Sequence, residues 1–243
     1  MSANLKDKTV LVVGRGSGIA RAVSDAALAE GARVIAAGRD RAALRKSYGD
    51  TEATVATVDL TDEGSIKALA AEVGAVDHVV STASARARGL VFELDPEAIL
   101  LSFHTKVVGP IMLAKHFAPT MPAGGSFVLL SGVAALEPDP GFLGVAATNG
   151  AVNTVVRSLA VELAPIRVNA VSPGTIDTGA WDPLGEEKKA ELFARLSAGN
   201  PTGRIGTTED VAHAVLFALT NTFLTGICLA VDGGQPLRVA TGT

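Results

Sequence analysis

The segment VLVVGRGSGIA sets Gly14, Gly16 and Gly18, separated by Arg15 and Ser17, between an apolar run and a helical pattern that begins at Ile19. Residues without side chains let the backbone turn tightly and let an anion approach the open amide groups at the head of the next helix. The chemistry on offer is the holding of phosphate, and a glycine turn between strand and helix is the setting in which a dinucleotide diphosphate is cradled. The second apolar run ends ARVIAAGRD, where an NAD site ordinarily carries a carboxylate for the adenosine ribose, but Ala36 and Ala37 supply none. Arg39 and Arg15 instead offer guanidinium groups to a 2'-phosphate, so NADP(H) is expected in preference to NAD(H). Asp40 opposes that choice only if it faces inward. At the end of the third run, Asp59 is placed to accept from an adenine amino group and Leu60 to cover the ring; the alternative for Asp59 is merely to end a strand.

A scaffold that brings these residues together must bury long apolar runs. Thr9 to Val13, Arg33 to Ala37, Ala53 to Val58, His78 to Ser81, Ser126 to Leu130, Arg167 to Val171 and Cys228 to Val231 each read as a strand, apolar enough for a parallel sheet covered on both faces. Helical spacing fills the intervals: 19–30, 42–48, 63–72, 96 to roughly 117, 148–163 and 209–219. Asp62 and Thr208 are expected caps, Asp95 with Pro96 marks another start, and Pro110 is an expected kink. Strand and helix alternate throughout, which predicts an α/β fold with a doubly wound, Rossmann-like parallel sheet in one domain over residues 1–243. The irregular stretch 178–201, with Trp181 and the run GEEKKAE, is an expected substrate-loop insertion forming one or two short mobile helices, the bland reading being an ordinary solvated helix.

Composition narrows the partners. A length of 243 residues with 48% hydrophobic content suits one substantial core, and a formal charge of −4 with 21 Lys and Arg, none clustered, argues against a nucleic-acid surface. No uninterrupted apolar run reaches the length of a membrane span and the start MSANLKDKTVLVV lacks an export signal, so no membrane partner and a cytoplasmic location are expected. The single cysteine, Cys228, reads as a buried strand thiol, and the histidines show no metal-like spacing with it, so no metal is expected.

Over nearly its full length the chain resembles the short-chain dehydrogenase/reductase family. The resemblance is carried by VGRGSGIA, by VDLT at 58–61, by SLAVELAPIRVNAVSPGTIDT at 158–178, by GRIGTTEDVA at 203–212 and by LTGICLAVDGG at 224–234. It implies a nicotinamide cofactor in the long cleft, hydride exchange with a carbonyl or alcohol carbon of a small-molecule substrate, and a homodimer or homotetramer. It further implies that Ala83, in the loop after the fourth strand, and Pro173, Gly174, Thr175, Ile176 and Thr178 line the cofactor site.

The family's chemistry uses serine to orient the carbonyl, tyrosine to exchange the proton, lysine to favour the phenolate and hold ribose, and asparagine to support a water path. Aligned with these roles stand Gly132, with Ser131 just before it, then Val145, Asn149 and Lys106; even the NNAG frequent in the family reads STAS at 81–84. The only tyrosine, Tyr48, lies after the second strand on the adenosine side, where surface packing is its expected role. Lys106 is read as a surface or ribose contact by default, and as a proton donor if it reaches the space left by Val145 and Asn149. Ser131 is expected to satisfy nearby backbone, His104 to serve a helix face, and Asp177 and Asp182 to lie near the pocket entrance. The leading reading is an NADP(H)-dependent oxidoreductase acting on a carbonyl, imine or activated acceptor by a nonstandard proton route, with catalytic residues unassigned. Its alternatives are a catalytically inactive cofactor-binding regulatory or scaffold protein, and a binder of some unrelated ligand.

Overall fold

In the computed structural model, which describes residues 5–179 and 181–237, the strands run β1 (Thr9–Val13), β2 (Arg33–Gly38), β3 (Thr54–Thr57), β4 (His78–Ser81), β5 (Ser126–Leu130), β6 (Arg167–Pro173), β7 (Ile176–Asp177), β8 (Gly206–Thr207) and β9 (Cys228–Val231). Seven of them form one sheet in the order β3-β2-β1-β4-β5-β6-β9, every pairing parallel, and β7 pairs with β8 in a small separate ladder that the sequence pattern did not reveal. The expected span 1–243 and insertion 178–201 include residues 1–4, 180 and 238–243, which lie outside the described residues.

The sheet is covered on both faces, as its apolar runs require. Along β1, Val10 and Val12 pack with Val23 and Ala27 of α1 (Ile19–Ala29) and with Val211 and Val215 further along the chain, while Leu11 and Val13 face the opposite core with Phe127 of β5. That alternation is the two-residue repeat of a strand buried on both sides. Between β2 and β4 runs α2 (Arg41–Tyr48) and then α3 (Glu63–Val73); beyond β4 come α4 (Pro96–Phe103), α5 (Gly109–Phe117) and α6 (Leu143–Glu162). The last two helices are α7 (Glu186–Ala198) and α8 (Thr208–Thr220). α7, after a short 3-10 turn at Asp182–Leu184, is the regular part of the expected insertion.

Helix starts follow their side chains. Asp62 accepts from Gly64 N at 2.8 Å, and Asp95 accepts from Glu97 N at 3.1 Å with Pro96 behind it. For α8 the cap is Thr207, not the expected Thr208: Thr207 Oγ1 accepts from Asp210 N while Asp210 Oδ2 accepts from Thr207 N at 2.8 Å, and this reciprocal pair fixes the start one residue earlier. α6 begins at Leu143 rather than at Thr148. Its first turn is rich in small residues, a weak periodic signal, and it forms because Gly144 packs tightly on Ala87, so tertiary contact overrides local pattern.

The expected long helix from Pro96 is interrupted by a π-helical turn at His104–Val108, placed before Pro110 rather than at it. Pro110 has no amide hydrogen and its ring crowds the preceding turn, and the widened turn absorbs both. Gly109 N donates to His104 O, and Gly109 sits so close to Leu60 that an added Cβ would lie 2.7 Å from the Leu60 Cβ. Taken together, Pro96–Thr120 is long and apolar enough to cross a membrane by length and composition alone, although Lys106 and Lys115 interrupt its apolar run. In the fold, Leu113, Ala114 and Phe117 of this segment pack into the core against the sheet.

β1 lies between β2 and β4, so the chain leaves it in opposite directions and a crevice opens beyond the carboxyl ends of these strands. Ligands of doubly wound sheets bind at such a switch point.

Candidate functional site

The crevice is a cleft of about 440 Å³. Of the residues expected to hold cofactor, Gly14, Arg15, Ser17, Gly18, Ile19, Arg39, Asp59, Leu60, Ala83 and Thr178 line it. Gly18 stands at the head of α1 with φ of +55°, in the region that favours glycine, and no side chain caps the helix. Its first amide groups are thereby left open toward the cleft.

Other expected residues are drawn elsewhere. Gly16 does not line the cleft: at its α-carbon, Leu44 and Tyr48 crowd to within 2.8 and 3.0 Å of any added Cβ, so its absent side chain serves packing beneath the turn. Pro173 closes β6 beside Val231, Gly174 abuts Asp232, and Ile176 turns its side chain into the core. Only Thr178 of that expected group faces the cleft, against Gly18. Asp177 and Asp182 are not free at the entrance, because Lys189 of α7 pairs with both, at 3.1 and 2.6 Å.

Near the end of β2 the two carboxylates take different partners. Asp40 turns away to cap α2, accepting from Ala43 N at 2.9 Å. Asp59 Oδ1 accepts from the Thr61 amide and hydroxyl at 2.9 and 2.8 Å, and these bonds hold its carboxyl below the usual range, with Arg39 contributing. Tyr48 corrects an expectation: it is buried, not on the surface, with its hydroxyl 3.0 Å from Ser24 Oγ and its ring packed on Leu44 and Ala36. A ring large enough to fill the space beneath the glycine turn was available nowhere else on α2, and burial raises its pKa.

Lys106, Ser131, Gly132 and Asn149 do not line the cleft but form one connected network, with Lys106 close enough to the cleft-lining Arg86 to feel its charge. The π turn carries Lys106 inward until only 7% of it is exposed, which excludes the surface role expected by default. Its Nζ donates to Ser131 O at 3.0 Å and to Asn149 Oδ1. Asn149 Nδ2 in turn donates to Gly132 O at 3.2 Å, and Ser131 Oγ sits 3.1 Å from Asn149 O and 2.8 Å from Asn153 Oδ1. Gly132 is locked to this arrangement: its backbone is extended, but an added Cβ would lie 2.7 Å from Asn149 Nδ2. Burial, helped by the Arg86 guanidinium, pulls Lys106 down from 10.5 to about 8. An ammonium has three donors, and two of them are used here. Ser131 is occupied by its neighbours, as expected, and Ser81 Oγ, where the family frequently has asparagine, is buried without a partner among the described residues. His104, at the start of the same π turn, is exposed while Lys106 is buried.

Sequence reasoning missed Thr61, Thr82, Leu101, Thr105 and Arg86 in the cleft lining. The available signal for Arg86 was the pair of arginines in ARAR directly after the fourth strand, at the switch point.

Comparison with known proteins agrees with this geometry. Residues 13–235 match the family model described as enoyl-(acyl carrier protein) reductase. The chain belongs to the short-chain dehydrogenase/reductase family. It is 34% identical to 2-(S)-hydroxypropyl-CoM dehydrogenase 3 of Xanthobacter autotrophicus, over 97% of this chain and 99% of that protein. It is 31% identical to human 3-oxoacyl-[acyl-carrier-protein] reductase, over 95% and 99%. Among solved structures, a small-chain dehydrogenase in complex with NADPH superimposes with a TM-score of 0.82 at 31% identity, covering 96% of this chain and 100% of that one. The MalC reductase/Diels-Alderase from Malbranchea aurantiaca gives 0.87 at 32% identity, over 96% and 98%.

Proposed function

We propose that the chain is an NADP(H)-dependent oxidoreductase that reduces a carbonyl, imine or activated acceptor with Lys106, rather than a tyrosine, as the proton donor. The observation that carries this reading is the network joining Lys106, Asn149, Ser131 O and Gly132 O: the replaced positions fit one another sterically and by hydrogen bonding, as a built site does. The residues that line the cleft suit the cofactor. The uncapped head of α1 favours a diphosphate, and Arg15 and Arg39, exposed over the end of β2, make no hydrogen bond or ion pair among the described residues. With Asp40 committed to its helix, their charge favours a 2'-phosphate, and the likeness to a dehydrogenase solved with NADPH supports the same choice.

Bound cofactor supplies hydride to the acceptor carbon. As that carbon gains hydride, the carbonyl electron pair moves to oxygen, and the oxygen takes a proton from Lys106 Nζ to give the alcohol. The neutral amine keeps its bonds to Ser131 O and Asn149 Oδ1 and regains a proton from solvent. Val145 has nothing to donate. Its presence favours a second reading, a cofactor-binding module without turnover.

Titration with NADPH and NADH followed by assay across carbonyl and imine acceptors separates the two. Cofactor binding with turnover that falls about 10²- to 10⁴-fold in Lys106→Met supports the enzyme. Binding without turnover supports the module, and no binding of either nucleotide refutes both. Association of copies belongs to the same reading: Phe217, Phe223 and Ile227 form an exposed apolar face near α8 and β9, and light scattering giving a monomer would refute it.

A further inference from the structure

Arg86 and Arg88 stand on a segment that is fixed, not loose. Ser102 Oγ of α4 donates to Ala85 O at 2.6 Å, and Ala87 is buried against Gly144, where an added Cβ would lie 2.8 Å away. Gly89 N donates to Gly141 O at 3.1 Å. The chain between β4 and α4 is therefore clamped between α4 and the start of α6. With Ala87 turned inward, its two neighbours project the other way. Arg86 lines the cleft, and Arg88 stacks over the Phe142 ring at 4.6 Å.

Neither guanidinium has an ion pair or a hydrogen bond among the described residues. Desolvation, and after it the like charges of Arg88 and Arg15, lowers the Arg86 pKa, and Arg86 adds to the burial that lowers Lys106. Both arginines are exposed, so an anion that enters the cleft meets guanidinium groups with no carboxylate partner among the described residues. The cofactor phosphates fall at the glycine turn and β2 end, where Arg15 and Arg39 stand. Arg86 is near enough to both Arg15 and Lys106 for their charges to act on one another.

We propose that this site takes a substrate bearing an anionic group, such as a carboxylate, which Arg86 binds through its planar fork while the carbonyl faces Lys106. The inference rests on the NADP(H) reading and names the substrate class within it. A bidentate guanidinium fixes both the distance and the orientation of an acid group, which a lysine or a neutral donor does not.

The test uses protein saturated with NADPH and matched probes: pyruvate, acetoacetate and levulinate, each against its methyl ester. Binding is read from the change in NADPH fluorescence, so no turnover is needed. At least one acid is expected to bind about 10- to 100-fold more tightly than its ester, the range of a charge-assisted hydrogen bond. Arg86→Met is expected to abolish that preference while leaving the NADPH dissociation constant within about twofold, and Arg86→Lys to restore it only in part. Acids that bind no better than their esters, or not at all, overturn the proposal. So does Arg86→Met if it weakens NADPH strongly and leaves an acid preference intact, since Arg86 then serves the diphosphate. Failure of NADPH itself to bind overturns the cofactor reading first, and is distinguished because it appears before any probe is added.

Discussion

The glycine turn and the Lys106 network are built from different materials. At the glycine turn the backbone leads, with the open amides of α1 and a glycine at φ of +55°, while the Asp40 cap leaves the Arg15 and Arg39 side chains beside it. In the network the contacts are made by side chains held by one another, Lys106 to Asn149 and Asn149 to Gly132 O. Backbone recognition needs only that a turn keep its shape, so it tolerates changes in most neighbouring side chains. A side-chain site is specified residue by residue, and when one member changes the others must follow.

The largest expected effect tests whether the network is a working site. If Lys106 is the acid, reduction by the intact protein falls about tenfold per pH unit above its pKa of about 8, because the ammonium form is lost as pH rises. Oxidation in the reverse direction rises over the same interval. The residual rate of Lys106→Met has neither limb, and a pH–rate profile unchanged by that substitution breaks the comparison. Next in size is the glycine turn: Arg39→Ala should weaken NADPH about 10- to 100-fold and NADH little, by direct titration. Equal loss for both nucleotides would place Arg39 on something other than the 2'-phosphate.

Gly132→Ser sharpens the contrast from the other side. Its Cβ meets the Asn149 amide, so we expect destabilisation of about 1–3 kcal/mol in denaturant unfolding, relieved when Asn149→Ala is added. Additive losses in the double variant would show that the two positions are independent. The smallest effect is a control remote from both regions. Thr207→Ala removes the hydroxyl of the α8 capping box and should cost about 1 kcal/mol while leaving nucleotide affinity unchanged.

The fold was legible because it is written in long repeating patterns. β1, β4, β5 and β9 fall on their expected residues, each a short apolar run between helical segments. What escaped was decided by contacts between distant parts. The first turn of α6 depends on Gly144 meeting Ala87, and β7 and β8 are two residues each, too short to leave a period. Lys106, Gly132 and Asn149 were legible as positions worth attention. Their joining was not, because Lys106 and Asn149 are 43 residues apart and meet only through a π turn whose cause, Pro110 beside Gly109, reads in sequence as a plain kink. Tyr48 misled for a related reason: amphipathic residues on a short polar helix suggest the surface, whereas the hollow beneath the glycine turn claims the ring.

The steric lock between Gly132 and Asn149 governs the order in which this site can be altered. Serine introduced alone collides with the amide, and lysine introduced alone at position 149 brings a second ammonium against Lys106. Serine is therefore accommodated at position 132 once the side chain at 149 has been shortened, and a laboratory redesign of this network exchanges position 149 before position 132.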